Sequence, residues 1–264
     1  MWAFNLWRNL ILVVIAIGIL SGCAGDPKNI DPWETVNRPM YDFNEGLDRY
    51  ALKPLADGYV KVVPKPVRTG LGNAFDNLGY GNVILNDFLQ AKWGQGCSDA
   101  GRMAVNSTLG IAGLFDVAGP WRMPSHDNDF GITLGKWGMP AGPYMVLPLF
   151  GPSCARDAPA IGVEIVTDPL TWVDAPLAAI IPLRVTQAID ARSRADMEVK
   201  FRNAAAIDPY IFTRSAYLQF RAGQIHEGQP PPDNSGMYDE ESAPASAPAT
   251  PSGTDTPPAA TGTP

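Results

Sequence analysis

Residues 110–157 read GIAGLFDVAGPWRMPSHDNDFGITLGKWGMPAGPYMVLPLFGPSCARD. Glycine and proline recur every few residues among aromatics, so no long regular element survives here, and short strands or turns are the most the pattern allows. The apolar run at 144–150 is itself cut by Pro148. On both sides the spacing of apolar residues turns helical, which predicts a mainly α fold, a single helical domain with an irregular Gly/Pro-rich centre.

Working outward on the N-terminal side, a helix is expected at 98–109, stopping at Gly110. Another is expected at 82–91, where Val83, Ile84, Leu85, Phe88 and Leu89 cover more than one side, as in a helix that is buried or faces lipid. Before it, Val67, Leu71, Ala74, Phe75 and Leu78 form a stripe that Gly79-Tyr80-Gly81 is expected to end, with Pro54, Pro64 and Pro66 punctuating a connector ahead of it. The first helix starts at Asp31, a capping residue followed by Pro32 at the first helical position and Glu34 where a capping box asks for it. Trp33, Val36, Met40, Phe43, Leu47 and Tyr50 then give one apolar face over about five turns, with a kink or break expected at Pro39.

Beyond the centre, helices are expected at 182–204 and at 209–225, the second opening on Asp208-Pro209. Residues 182–221 are locally basic, with Arg184, Arg192, Arg194, Lys200, Arg202, Arg214 and Arg221. Two readings stay open: a surface for anionic lipid heads or an acidic partner, or a solvated face bridged by the i,i+4 pairs Arg192/Asp196, Arg194/Glu198, Asp196/Lys200 and Glu198/Arg202.

The ends of the chain carry the address. Arg8 precedes a nearly uninterrupted apolar run at 10–20, too short for the roughly 18 or more residues of a membrane span, and Leu20-Ser21-Gly22-Cys23 closes it in a pattern that resembles the bacterial lipobox. Residues 1–22 are thus expected to be a cleaved lipoprotein signal peptide and Cys23 the lipidated first residue of a tether, 23–30. Two or three long acyl chains at about 0.8 kcal/mol per methylene hold such a chain to a membrane for practical purposes permanently. Ala24, rather than Asp, follows the anchor; in lipoproteins of the kind this one resembles, that favours the outer membrane. The folded domain is expected at 31–229, and the Pro/Ala/Thr-rich segment 230–264 is expected to be a disordered tail.

Cys97 and Cys154 remain as a pair in an oxidising compartment, either as a disulfide or as two separate thiols. Losing Arg8 with the leader moves the formal charge from −7 to about −8, which argues against nucleic acid as a partner. Catalytic and cofactor patterns are missing. His126 and His226 form no HExxH or Cys/His metal pattern, no GxSxG elbow occurs, and residues 131–136 fall short of a phosphate loop, with Trp137 where Ser or Thr is needed. Residues 127–131 superficially match a calcium loop but place Gly138 at the closing Glu position. No enzyme, cofactor, metal or nucleotide is expected.

The central motifs also carry a family likeness. Arg102-Met103, Asn106-Ser107-Thr108, Gly110, Gly113 and Asp116-Val117-Ala118, then Asp129-Phe130-Gly131, Thr133-Leu134-Gly135, Trp137-Gly138, Gly142-Pro143-Tyr144, Leu147-Pro148, Gly151-Pro152-Ser153 and Arg156-Asp157, resemble the MlaA/VacJ family of outer-membrane lipoproteins in order and spacing. Asp31-Pro32-Trp33-Glu34, Asn37-Arg38, Phe43-Asn44 and Asp208-Pro209-Tyr210, with Arg214 and Tyr217, extend the likeness over most of the domain. The resemblance implies a ring-like helical lipoprotein on the periplasmic side of the outer membrane, often beside trimeric porins. It implies a passive channel that removes phospholipid from the outer leaflet and passes it to a periplasmic carrier. The alternative is a scaffold lipoprotein that organises porins or the envelope without conducting lipid.

A polar head crossing hydrocarbon meets a barrier on the order of tens of kcal/mol for a bare ion, which a wet passage removes. The expectation is that the central region lines this passage through Gly110, Gly113, Gly142, Pro143, Tyr144, Leu147 and Pro148, with 144–150 as a mobile lip. Arg156 is expected either to contact head groups or to pair with neighbouring acids.

Overall fold

The computed structural model describes residues 29–228. The leader, Cys23, most of the tether and the C-terminal tail lie outside the described residues. The domain is mainly helical: α1 (Glu34–Leu47), a π turn (Asp48–Leu52), α2 (Lys53–Val62), α3 (Lys65–Leu89), α4 (Trp93–Thr108), α5 (Phe130–Lys136), β1 (Tyr144–Leu147), β2 (Gly151–Cys154), α6 (Ala158–Thr167), a 3-10 turn (Pro169–Thr171), α7 (Leu177–Arg194), α8 (Asp196–Ala205) and α9 (Pro209–Ile225).

Helix α1 corrects three expectations. It runs through Pro39 without a break and passes by the π turn directly into α2. Pro54, which has no amide hydrogen to give, follows that widened turn, where the hydrogen-bond register has already slipped, and so sits inside the helical run rather than in a connector. Asp31 is no cap: it is buried, accepting from Asn37 Nδ2 at 2.8 Å, from Arg214 Nη1 at 2.9 Å and from the Tyr210 hydroxyl. Its carboxylate thereby ties the start of α1 to α9, a contact no local pattern encodes.

Helix α3 spans 25 residues, merging the two helices expected on either side of Gly79-Tyr80-Gly81. A glycine inside a helix costs only about 0.5–1 kcal/mol relative to alanine, and packing of α3 along α4 outweighs that. Pro64 and Pro66 do mark a boundary, standing at the N-cap and first turn of α3. In the centre the structure places one seven-residue helix, α5, more order than expected. Asp129 makes it possible by accepting the Ile132 amide at 2.9 Å as an N-cap. The cap at Asp208 is as expected, accepting the amides of Tyr210 and Ile211.

Strands β1 and β2 form an antiparallel hairpin with Tyr144 opposite Cys154. Its free edge is covered by two side chains one heptad apart on α1. Asn37 donates to the Tyr144 carbonyl at 3.1 Å and accepts the Val146 amide at 3.0 Å; Asn44 does the same for the Leu147 carbonyl and Leu149 amide, both at 2.9 Å. The two amides thus mimic a neighbouring strand, which protects an otherwise unpaired edge. Beneath the hairpin, Tyr41, Tyr144, Val146 and Tyr210 make the apolar cluster, with Tyr144 at 0% exposure. That burial corrects the picture of 144–150 as a mobile lip: only its tip, Pro148 to Phe150, is exposed.

The basic stretch is explained by long-range pairing more than by a bridged solvated face. Arg192 forks onto Asp48 at 2.5 and 3.0 Å, Arg202 onto Glu45 at 2.6 and 2.7 Å, and Arg194 reaches Asp76 at 2.8 Å. Of the four i,i+4 pairs, Arg192/Asp196 and Asp196/Lys200 form. Cys97 and Cys154 are free thiols, the first exposed and the second buried in β2, so the expected disulfide gives way to its alternative of two separate thiols.

The interior is rich in polar groups for a folded domain, with fourteen polar or charged and, glycine and proline aside, fourteen apolar residues buried among the described residues. Among the largest fully buried side chains are Asn86, Asp87, Asp99, Thr133 and Asp190. On α1 the buried residues are Asn37 and Tyr41, while Val36 and Phe43, at 63% and 56% exposure, and Tyr50 of the following π turn, at 81%, are apolar side chains on the outside.

Candidate functional site

A cavity of about 540 Å³ opens between α3, the loop 125–129, α6 and α7. One wall is α3, which contributes Phe75, Asp76, Gly79, Tyr80, Asn82 and Val83 at helical spacing. The loop 125–129 supplies a run of polar residues, Ser125, His126, Asp127, Asn128 and Asp129, and the remaining lining comes from Glu164 and Thr167 of α6, Asp168 just after it, and Gln187 of α7. The volume falls within the roughly 300–1,000 Å³ of ordinary ligand pockets, and twelve of the fifteen lining residues carry a hydrogen-bonding side chain.

The loop wall is held from behind by a buried polar network. Tyr80 donates to Asp99 at 2.9 Å and accepts the His126 amide at 3.1 Å, while His126 Nδ1 lies 3.0 Å from both Asp99 oxygens. Asn128 donates to Asp87 at 2.8 Å and accepts from Gln90 at 2.7 Å, and Gln90 continues to Thr133 and through it to Asn86. The loop is therefore a fixed wall rather than a flap.

Asp87 is under strain in this network. Its Oδ1 accepts from Asn128 and Gln95, but its Oδ2 finds no donor among the described residues. Burial, then the adjoining Asp99, pushes Asp87 up to about 6. A folded value above the ordinary 3.8 means the folded state holds this proton more tightly. The favourable contribution is full below pH 3.8 and is lost as pH rises through about 6. Asp87→Asn, whose amide can donate to Asp99, is expected to raise stability at pH 7.5 by about 1–3 kcal/mol and to gain nothing at pH 4. Thermal unfolding at both pH values checks this; a lower Tm than wild type at pH 7.5 would refute it.

Three of the cavity's carboxylates are backed by arginines. Asp129 is forked by Arg221 at 2.5 and 2.9 Å, Asp168 by Arg184 at 2.6 Å, and Asp76 by Arg194. Asp127 and Glu164 have no ion-pair partner within 4.0 Å among the described residues. Both are reached by water yet ringed by protein atoms; that crowding, then the negative charge of Asp129, raises the pKa of each. Among the described residues no group of three or more His, Cys, Asp or Glu could hold a metal ion.

None of the residues expected to line the passage reaches this cavity. Gly110 and Gly113 close the turn after α4 against neighbouring atoms: a Cβ on Gly113, at φ +86°, would lie 2.5 Å from Asn77 Cβ, and one on Gly110 2.2 Å from the Phe115 carbonyl oxygen. Gly142, at φ +68°, and buried Pro143 lead into the hairpin; Tyr144 is core; Leu147 and Pro148 stand at the hairpin turn. Arg156 is buried and paired with Asp157 at 2.7 Å, the pairing alternative rather than the head-group contact. These residues build the scaffold. The lining residues were present in the sequence as the polar run 125–129, weighed as a calcium loop, and as the face of α3 around Gly79, taken for a helix end.

Known proteins share the whole domain. The family model described as MlaA lipoprotein matches residues 29–224. The chain is 35% identical over 222 residues to the "Intermembrane phospholipid transport system lipoprotein MlaA" of Shigella flexneri and to that of Escherichia coli K12, covering 80% of this chain and 87% of each relative. It is 30% identical to the protein of the same name from Haemophilus influenzae, covering 84% of this chain and 92% of that one. A solved structure from "Structural basis for maintenance of bacterial outer membrane lipid asymmetry" superposes with a TM-score of 0.64 at 31% identity, over 74% of this chain and 98% of that one.

Proposed function

The chain belongs to the MlaA lipoprotein family, and on that premise we propose that it is an outer-membrane lipoprotein that moves phospholipid passively out of the outer leaflet and hands it to a periplasmic carrier. The single observation that supports this most is the placement of polarity: a cavity lined mainly by residues with hydrogen-bonding side chains, and apolar side chains exposed along α1. An exterior of that kind is stable against acyl chains, and a polar interior spares the head group the desolvation cost of hydrocarbon.

Among the described residues no helix is long and apolar enough to cross a membrane. We assign attachment to acyl chains on Cys23 and to the apolar side chains of α1 that begin with Val36, two signals that together anchor a protein firmly. We place the protein on the periplasmic side of the outer membrane, with α1 in the leaflet and the cavity as part of a ring-like passage; trimeric porins are candidate neighbours. Nothing in the lining suggests nucleotide use, so the lipid gradient and the acceptor's affinity drive the transfer.

The test uses the mature lipidated protein in proteoliposomes carrying a fluorescent phospholipid, with lipid-free acceptor vesicles or a soluble carrier. Protein-dependent transfer without nucleotide is the expected result, and a mass spectrum of the N-terminal peptide should find diacylglycerol on Cys23. Transfer no faster than from protein-free vesicles would overturn the reading.

A further inference from the structure

The proposal here rests on the cavity being the lipid path. We propose that the path selects phospholipids whose head group carries a primary or quaternary ammonium, and disfavours those whose head group is purely anionic. The walls carry Asp76, Asp127, Asp129, Glu164 and Asp168, and no lysine or arginine contributes to the lining. The three guanidiniums nearby stand behind Asp76, Asp129 and Asp168 and are committed to them. Asp127, from the loop, and Glu164, from α6, have no ion-pair partner within 4.0 Å among the described residues; they feel Arg221 only from a distance and face the same water.

The form of this field tells what kind of cation it suits. A bare divalent ion needs several oxygens converging at 2.0–2.6 Å, and no such convergence exists among the described residues. Carboxylates spread over two walls of a wide cavity instead match a bulky, diffuse cation that keeps part of its hydration. After burial itself, the negative charge of Asp129 raises the cost of ionising both Asp127 and Glu164, and Asp127 adds to that of Glu164, so a cation among them relieves both. A second anionic group in the same place, such as a glycerol phosphate without an amine, adds repulsion and gains no partner. Selection of this kind works by like-charge exclusion as much as by attraction.

The experiment compares lipid captured by the purified lipidated protein from detergent micelles holding equal parts phosphatidylethanolamine and phosphatidylglycerol, analysed by mass spectrometry. Wild type is expected to enrich the ethanolamine lipid by roughly threefold or more, an enrichment that shrinks as salt is raised. The double variant Asp127→Asn, Glu164→Gln is expected to lose the preference, the ethanolamine share of its captured lipid falling to that of the micelle; neither side chain has an ion pair to lose, and its Tm reports that the fold is kept. Equal capture of both lipids by wild type, or an unchanged preference in the double variant, overturns the ammonium inference while leaving the path in place. An enrichment abolished by a chelator also overturns it, in favour of a metal. Wild type that captures no lipid at all overturns the path itself.

Discussion

Gly79→Trp is expected to leave the domain folded and to slow lipid transfer by roughly tenfold or more, because an indole with about 150–250 Å² of surface projects into the cavity and narrows it. Gly79 lies in the middle of α3, is exposed, and a Cβ built on it meets nothing within 4 Å. Its backbone is helical rather than left-handed, so a side chain adds no strain, and leaving glycine in a helix interior gains about 0.5–1 kcal/mol if anything. Gly81 provides the control. It shares the helix and the same open surroundings but not the cavity wall, so Gly81→Trp should transfer lipid like wild type. The check is the proteoliposome assay with all three proteins at matched Tm. Wild-type rates in Gly79→Trp would mean the lipid travels elsewhere.

The second large effect concerns stability. Arg221 on α9 donates through Nε to Asp157 at 2.9 Å and forks onto Asp129, while Arg156 holds the other side of Asp157 and Tyr217 donates to it at 2.6 Å. The space is so tight that a Cβ on Gly131 would lie 2.5 Å from Asp157 Oδ1 and 2.6 Å from Arg221 Nη2. Removing one member of a buried ionic network strands the others, at a cost of about 3–5 kcal/mol. Arg221→Met should therefore lower Tm by about 10 °C, with Arg221→Lys, which keeps charge but not the fork, in between.

The pH dependence follows from Asp157. Burial by itself would raise it, but the guanidiniums of Arg156 and Arg221 overrule burial and hold it well below the usual carboxylate range. A depressed folded value stabilises above the ordinary 3.8 and loses that contribution as pH falls below it, so the gap between wild type and Arg221→Met should narrow in acid. A constant gap from pH 7 to pH 3, or a Tm loss under 2 °C, would assign the network no such role.

Much of the architecture was legible because it depends on local chemistry. Asp208-Pro209 announced α9, Gly110 lay just beyond the end of α4, and the alternation on α1 was read correctly as one apolar face. The errors share a cause. Pro39, Pro54 and Gly79-Tyr80-Gly81 were read as breaks because each weakens a helix in isolation, whereas long-range contacts such as Asn37 to β1 and Arg192 to Asp48 supply more than the local cost. The candidate site was missed for the related reason that conspicuous glycines mark tight packing as readily as open space. Gly113 has no room for a methyl group and Gly79 has room for an indole, and nothing in their neighbours along the chain tells the two apart.

By itself the sequence determined the helical class and the family, and it raised the expectation of a lipid anchor, since these rest on composition, periodicity and motif spacing. Which face of α1 looks outward, which carboxylates are matched by an arginine and which two are not were decided only by the tertiary structure. Pairing and burial join residues as distant as Asp31 and Arg214. The electrostatic balance of a cavity is a sum over such distant partners, and no stretch of chain contains all its terms.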